Sequence, residues 1–205
     1  NGYNDGVIDQ TTNGGVPPYS FIWSNGAVTE DISNLSAGSY NVSILDANSC
    51  PFSTSIILDQ PTALQTTLGT TDYNGYDISC SGYSDGGIDL TVTGSVPGYS
   101  YVWSNGAVTE DISNLPIGSY NVSILDANSC PISTSIILDQ PTALQTNILS
   151  TTNYNGYDIS CYGYSDGGID LTVTGSVPGY TYLWSDGSVT EDISNLTVGS
   201  YNVSI

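Results

Sequence analysis

The chain has 205 residues, and its twenty charged side chains are all carboxylates; Lys, Arg and His are absent. A surface of one negative sign repels nucleic acid and anionic membranes, which are bound through Lys and Arg, and it allows no ion pair within the fold. Hydrophobic residues at 39% and aromatics at 10% are still enough to build cores, so the charge does not signal disorder.

No apolar run approaches the roughly 18 residues of a membrane-spanning helix, and direct membrane insertion is not expected. No signal peptide is visible and there is no Met, from which the chain is expected to be a piece of something longer. Self-comparison organises the rest. WSNGAVTEDISNL opens at Trp23 and again, letter for letter, at Trp103, and WSDGSVTEDISNL opens at Trp184. Residues 23–65 and 103–145 differ only at Ser36/Pro116, Ala37/Ile117 and Phe52/Ile132, as duplication leaves them. The expected domains are 1–61 with its first strand missing, 62–141 complete, and 142–205 with its last strand missing.

In the middle copy the elements read in order as strands. ALQTTLGTT (63–71) opens the domain. In GIDLTVTG the residues Ile88, Leu90 and Val92 share a face, with Asp89, Thr91 and Thr93 opposite. Tyr99, Tyr101 and Trp103 align next, then Tyr120, Val122 and Ile124, and STSIILD (133–139) closes the set. This period of two marks half-buried strands. Turn residues separate them: Pro97-Gly98, Asn105-Gly106, Pro116 and Gly118. No segment has a 3.6-residue apolar period. The fold class expected is all-β: tandem immunoglobulin-like β-sandwich domains of about 80 residues, each with about seven short strands, in an elongated array. Trp103 takes the place of the core Trp on the third strand, and Leu115-x-x-Gly118-x-Tyr120 has the form of a tyrosine corner. The expected core residues are Trp23, Trp103 and Trp184 with Tyr40, Tyr120 and Tyr201. Val122 stands where an antibody domain has its second Cys, so that inter-sheet disulfide is absent.

The pattern Cys80-x-Gly82-x-x-Asp85-Gly86-x-Ile88, then Pro97-x-Tyr99-x-Tyr101-x-Trp103, Leu115-x-x-Gly118-x-Tyr120 and Asp126-x-x-x-Cys130 resembles the SprB repeat of large surface adhesins from gliding Bacteroidota. The resemblance runs over the whole chain. It implies export to the cell surface and a role in adhesion or surface movement, and it names no ligand.

Candidate chemistry is sparse. Glu110 and Asp111 are adjacent, so on a strand they point to opposite faces and cannot flank one bond as glycosidase carboxylates do. They read as solvated charges, no catalytic residue is assigned, and no enzyme is expected. No cofactor is required. Calcium is the metal left open: Asp85, Asp89 and Asp126 are its candidate ligands, since hard cations gather carboxylate and carbonyl oxygens. The competing reading has Asp85 capping its own turn before Gly86.

Four Cys without His argue for disulfides in an oxidising, extracellular setting. Pairing within the repeat joins Cys80 to Cys130, with Cys50 and Cys161 bonded outside the chain; such a loop stabilises by about 4 kcal/mol. Pairing Cys50–Cys80 and Cys130–Cys161 stays open. N-glycosylation sequons fall at Asn34, Asn41, Asn121, Asn195 and Asn202. The absence of Lys excludes isopeptide cross-links and leaves trypsin no cleavage site.

The function expected is a non-catalytic extracellular structural or adhesive repeat protein, forming a surface stalk or fibre on a cell surface or as a secreted filament. Its partners would be other copies, head-to-tail or in a fibre, and surface glycans. Two alternatives stand beside it. One is a pilus-like filament subunit completed by strand exchange between neighbours. The other is an array of carbohydrate-binding modules using tyrosines such as Tyr76, Tyr83 and Tyr162.

Overall fold

The computed structural model describes residues 2–205, apart from the side chain of Leu149. Every described element is a strand: β1 (Gly6–Ile8), β2 (Ser20–Trp23), β3 (Ile32–Leu35), β4 (Gly38–Leu45), β5 (Pro51–Leu58), β6 (Gln65–Thr70), β7 (Gly86–Thr93), β8 (Ser100–Trp103), β9 (Ile112–Leu115), β10 (Gly118–Leu125), β11 (Pro131–Leu138), β12 (Gln145–Thr151), β13 (Gly167–Thr174), β14 (Leu183–Trp184), β15 (Ile193–Leu196) and β16 (Val203–Ser204). The alternation drawn from the sequence is the burial pattern. Ile88, Leu90 and Val92 are buried along β7, and Tyr120, Val122 and Ile124 along β10.

One sheet order recurs. The middle repeat has β6–β7–β9 and β8–β10–β11, the third has β12–β13–β15 and β14–β16, and the first has β1–β3 and β2–β4–β5. Six strands in the orders first–second–fourth and third–fifth–sixth match the ABE and CFG strands of an immunoglobulin constant-type sandwich, without its D strand. The count is six rather than about seven because residues 104–111 are engaged in a turn and caps around the Trp, described below.

The chain gathers into two compact units: residues up to Thr66 with Val92–Ser100 and Ile124–Ile132, and Thr67–Thr91 with Tyr101–Ser123 and Ser133–Ile205. In the first unit, Ile8, Phe21, Trp23, Ile32, Leu35, Val42 and Ile44 form one core drawn from both sheets of the first repeat. In the second unit, Leu171, Val173, Trp184, Ile193 and Leu196 do the same for the third repeat. Burying a side chain of this size contributes about 1.5–3 kcal/mol, and with no ion pair available these cores carry the fold. The three Trp and Tyr120 are buried as expected, whereas Tyr40 and Tyr201 are half-buried and pack at the core margin.

A β-bulge breaks the register at Gly6/Val7, Gly86/Gly87 and Gly167/Gly168 alike. Gly86 is required there: a Cβ would lie 3.0 Å from Leu115 O and 2.9 Å from Leu138 Cδ1. Bulges of this kind bend a strand and raise its twist.

Candidate functional site

The repeated stretch at Trp103 is a self-contained scaffold. Gly106 N–H donates to Trp103 O and Trp103 N–H to Ala107 O, both at 2.9 Å, closing a tight turn. Asn105 Oδ1 accepts from Ala107 N–H at 3.1 Å, and Gly106 supplies the positive φ of 89°. The buried indole donates Nε1–H to Thr109 O at 2.9 Å, and Thr109 Oγ1–H donates to Asp111 O at 2.7 Å. Asp111 Oδ1 then accepts the Leu90 backbone N–H at 2.9 Å. Asp31 and Asp192 hold the N–H groups of Gln10 and Leu171 in the same way.

Asp111 is exposed, as a solvated charge is, and in addition it anchors the backbone. At the end of the β7–β9 pairing the Leu90 N–H has lost its strand partner, and the carboxylate replaces it. Glu110 is exposed. The two adjacent carboxylates therefore do different things.

The tyrosine corner is present three times, each hydroxyl donating at 2.9 Å: Tyr40 to Ser36 O, Tyr120 to Pro116 O and Tyr201 to Thr197 O.

Asp126 is the one buried charged residue among the described residues, 5% exposed. Its Oδ1 accepts backbone N–H groups from Asn128 at 2.9 Å and Cys130 at 2.7 Å. Its Oδ2 accepts from Ser95 Oγ and, at 3.4 Å, from Val96 N–H. The Ser95 hydroxyl first, then these backbone donors, hold its carboxyl down to about 2 against the opposing effect of burial. In the first repeat Asp46 accepts from the N–H groups of Val16, Asn48 and Cys50 at 3.1, 2.9 and 2.9 Å. Its carboxyl is also lowered, the Cys50 N–H being the largest cause. Gly15 stands where Ser95 stands in the middle repeat.

Asp85 reaches back to Ser79, accepting from its N–H at 3.2 Å and from its hydroxyl, and Asp166 holds Ser160 likewise. Both carboxyls are lowered, chiefly by these hydroxyl donors. Asp89 is exposed on the outer face of β7. The calcium set Asp85, Asp89 and Asp126 is thus not assembled: among the described residues no three His, Cys, Asp or Glu side chains come together as metal ligands. Both oxygens of Asp85 and of Asp126 already accept from donors of the protein itself. Asp85 does act as a cap, but of the loop six residues earlier rather than of its own turn.

All four cysteines carry free thiols, so the Cys80–Cys130 bond expected from the repeat is not formed. Each backbone is held by its own loop: Cys80 O accepts from Tyr83 N–H, and Cys130 N–H donates to Asp126. The sequon residues Asn34, Asn41, Asn121, Asn195 and Asn202 are all exposed. Asn34 and Asn195 sit at positive φ of 57° and 59°, a conformation Asn tolerates. Of the tyrosines considered for sugar stacking, Tyr76 is half-buried, Tyr83 is 58% exposed and Tyr162 is fully exposed.

Sequence reasoning missed the roles of Ser95, Ser79, Asp46 and Asp111. A signal was available for the last two, since each Asp recurs with its whole flanking loop.

The fold and these loops define an all-β, immunoglobulin-like repeat module whose carboxylates serve its own backbone. The SprB repeat family model matches residues 76–108 and 154–189, from the Asp85-type loop through the Trp turn, and these two segments are similar to SprB repeats. The SprB repeat is a module of surface repeat proteins of adhesin type. Among solved structures, the amphioxus IgVJ-C2 molecule is similar at 15% identity over 66% of this chain and 96% of that chain, with a TM-score of 0.31. No curated protein matches in sequence.

Proposed function

We propose that the chain is part of a non-catalytic extracellular stalk or fibre, built from tandem sandwiches at 1–61, 62–141 and 142–205 and displayed at a cell surface or as a secreted filament. The carrying observation is that the same internal carboxylate caps recur from repeat to repeat, at Asp31, Asp111 and Asp192. Each repeat caps backbone of its own with its own carboxylate, and every charge the chain carries is acidic. Such a module serves spacing and display, and its charge keeps neighbouring arrays apart. Head-to-tail self-association and glycan coats at the exposed Asn residues fit this use, and the sequence requires no cofactor.

Single-molecule stretching tests the reading. Tandem repeats give a sawtooth with increments of about 27 nm, eighty residues at about 3.4 Å each; a single featureless extension would refute it. A second reading, carbohydrate binding, is favoured by the exposure of Tyr83. A glycan array that shows binding lost on Tyr83→Ala supports it, and a blank array removes it.

A further inference from the structure

The segment Asp139-Gln140-Pro141-Thr142-Ala143 joins the second repeat to the third, and both of its ends are tied down. Toward the second repeat, Asp139 and Asp77 exchange hydrogen bonds, each backbone N–H donating to the other's carboxylate, at 2.8 and 3.1 Å. Gly82 N–H donates to Gln140 Oε1 at 3.0 Å. Toward the third repeat, Ser176 N–H donates to Thr142 O at 2.8 Å. Ala143 O sits so close over Gly175, whose φ is +83°, that a Cβ there would stand 2.1 Å from it. From Gln145 onward the chain is paired along β13, with Gln145 opposite Thr174.

Between the residue held by one repeat and the residue held by the next stands Pro141 alone. Its ring fixes φ at about −65°, and the residue is fully buried.

The letters DQPTA recur at Asp59–Ala63, and so do the ties. Gly2 N–H donates to Gln60 Oε1 at 3.2 Å and Ser95 N–H to Thr62 O at 3.0 Å. A Cβ on Gly94 would stand 2.1 Å from Ala63 O. Pro61 is exposed, so the joint at Pro141 is the better packed of the two. Both sides of the Pro141 joint fall within one compact unit, and both sides of the Pro61 joint within the other.

Domains on one chain ordinarily move against each other unless a large apolar interface holds them, and a Gly/Ser linker leaves them free to swivel. This linker has neither the composition nor the freedom of such a coil. We propose that Asp139–Ala143 is a rigid coupler, so that the second and third repeats turn as one body. The Gln140 side chain grips the loop at Gly82, and the Thr142 and Ala143 carbonyls grip the turn at Gly175-Ser176. Pro141 removes the remaining backbone rotation. The grip uses amides and carboxylates only, as suits a chain without a cation. It goes beyond the proposed function by giving the joint a fixed angle, and it rests on the tandem reading. The stretching experiment tests that reading separately, since a sawtooth arises whether the joint is stiff or loose.

The test measures residual dipolar couplings of the 205-residue chain in a dilute aligning medium. Couplings from 62–141 and from 142–205 are expected to fit one alignment tensor. Inserting Gly-Gly between Pro141 and Thr142 should split the fit into two tensors, the degree of order of the third repeat falling at least about twofold relative to the second. Gln140→Ala, which keeps the chain length and removes one tie, should give a smaller fall. Unchanged shifts along β7 and β13 show that both variants keep their folds. Two tensors in the parent chain, or a single shared tensor that survives the insertion, would overturn the proposal.

Discussion

The hydroxyl of Ser95 donates to the buried carboxylate of Asp126, thirty-one residues away, and joins two loops that no local signal connects. The first repeat carries the same Asp but offers it Gly15, whose backbone lies close enough that a Cβ would stand 3.1 Å from Asp46 Oδ2. Two nearly identical domains therefore provide a built-in comparison of one carboxylate with and without its hydroxyl donor.

Acid sensitivity follows from these caps. Asp46, Asp85, Asp126 and Asp166 are all lowered from 3.8, Asp126 to about 2. A carboxyl with a depressed folded pKa adds stability that is present above its unfolded value and lost as pH falls through its folded value. Stability should therefore fall between about pH 4 and pH 2. Ser95→Ala should raise the Asp126 value and move the onset of that loss to higher pH, whereas Gly15→Ser should lower the Asp46 value further. Carboxyl carbon shifts against pH read both directly; unchanged titration of Asp126 in Ser95→Ala would contradict the assigned cause.

The adjacent carboxylates should separate cleanly on mutation. Asp111→Ala leaves the Leu90 N–H without its acceptor and should cost about 1–3 kcal/mol. Glu110→Ala should stay within about 0.5 kcal/mol of the parent. Urea titrations of the two variants, compared at equal m-value, decide the point; equal losses would mean that Asp111 is not an anchor.

Two glycines with similar backbone angles should behave differently. Gly94 has φ +82° and a Cβ there would lie 2.1 Å from Ala63 O, while Gly106 has φ +89° with nothing within 4 Å. Gly106→Ala meets only the left-handed backbone cost, about 1–2 kcal/mol. Gly94→Ala adds a clash with main chain that cannot move aside, and should cost more than about 3 kcal/mol. Thermal melts of both variants rank them, and a reversed order would show that the contact with Ala63 is relieved at little cost.

Metal should leave the fold unchanged. Because Asp85 and Asp126 already accept donors from Ser79 and Ser95, neither calcium nor a chelator is expected to shift the melting temperature. A calcium-dependent rise that disappears with Asp85→Asn would restore the metal reading.

The strands, the three Trp and the tyrosine corners were legible in the residues because burial on a pleated strand has a period of two. Ile88, Leu90 and Val92 declare their face wherever the chain goes, and the Leu115-to-Tyr120 corner closes within six residues. The repetition itself was written in the letters from Trp23 to Leu196. What tertiary structure alone decided was the fate of the polar groups. Asp111 caps Leu90 across twenty-one residues, Asp126 meets Ser95 across thirty-one, and the cysteines stay unpaired. No period or spacing reports which loop comes to lie beside which, and a carboxylate in a Gly-rich turn looks the same whether it awaits calcium or holds its own backbone. Only the placement of donors around it tells the two apart.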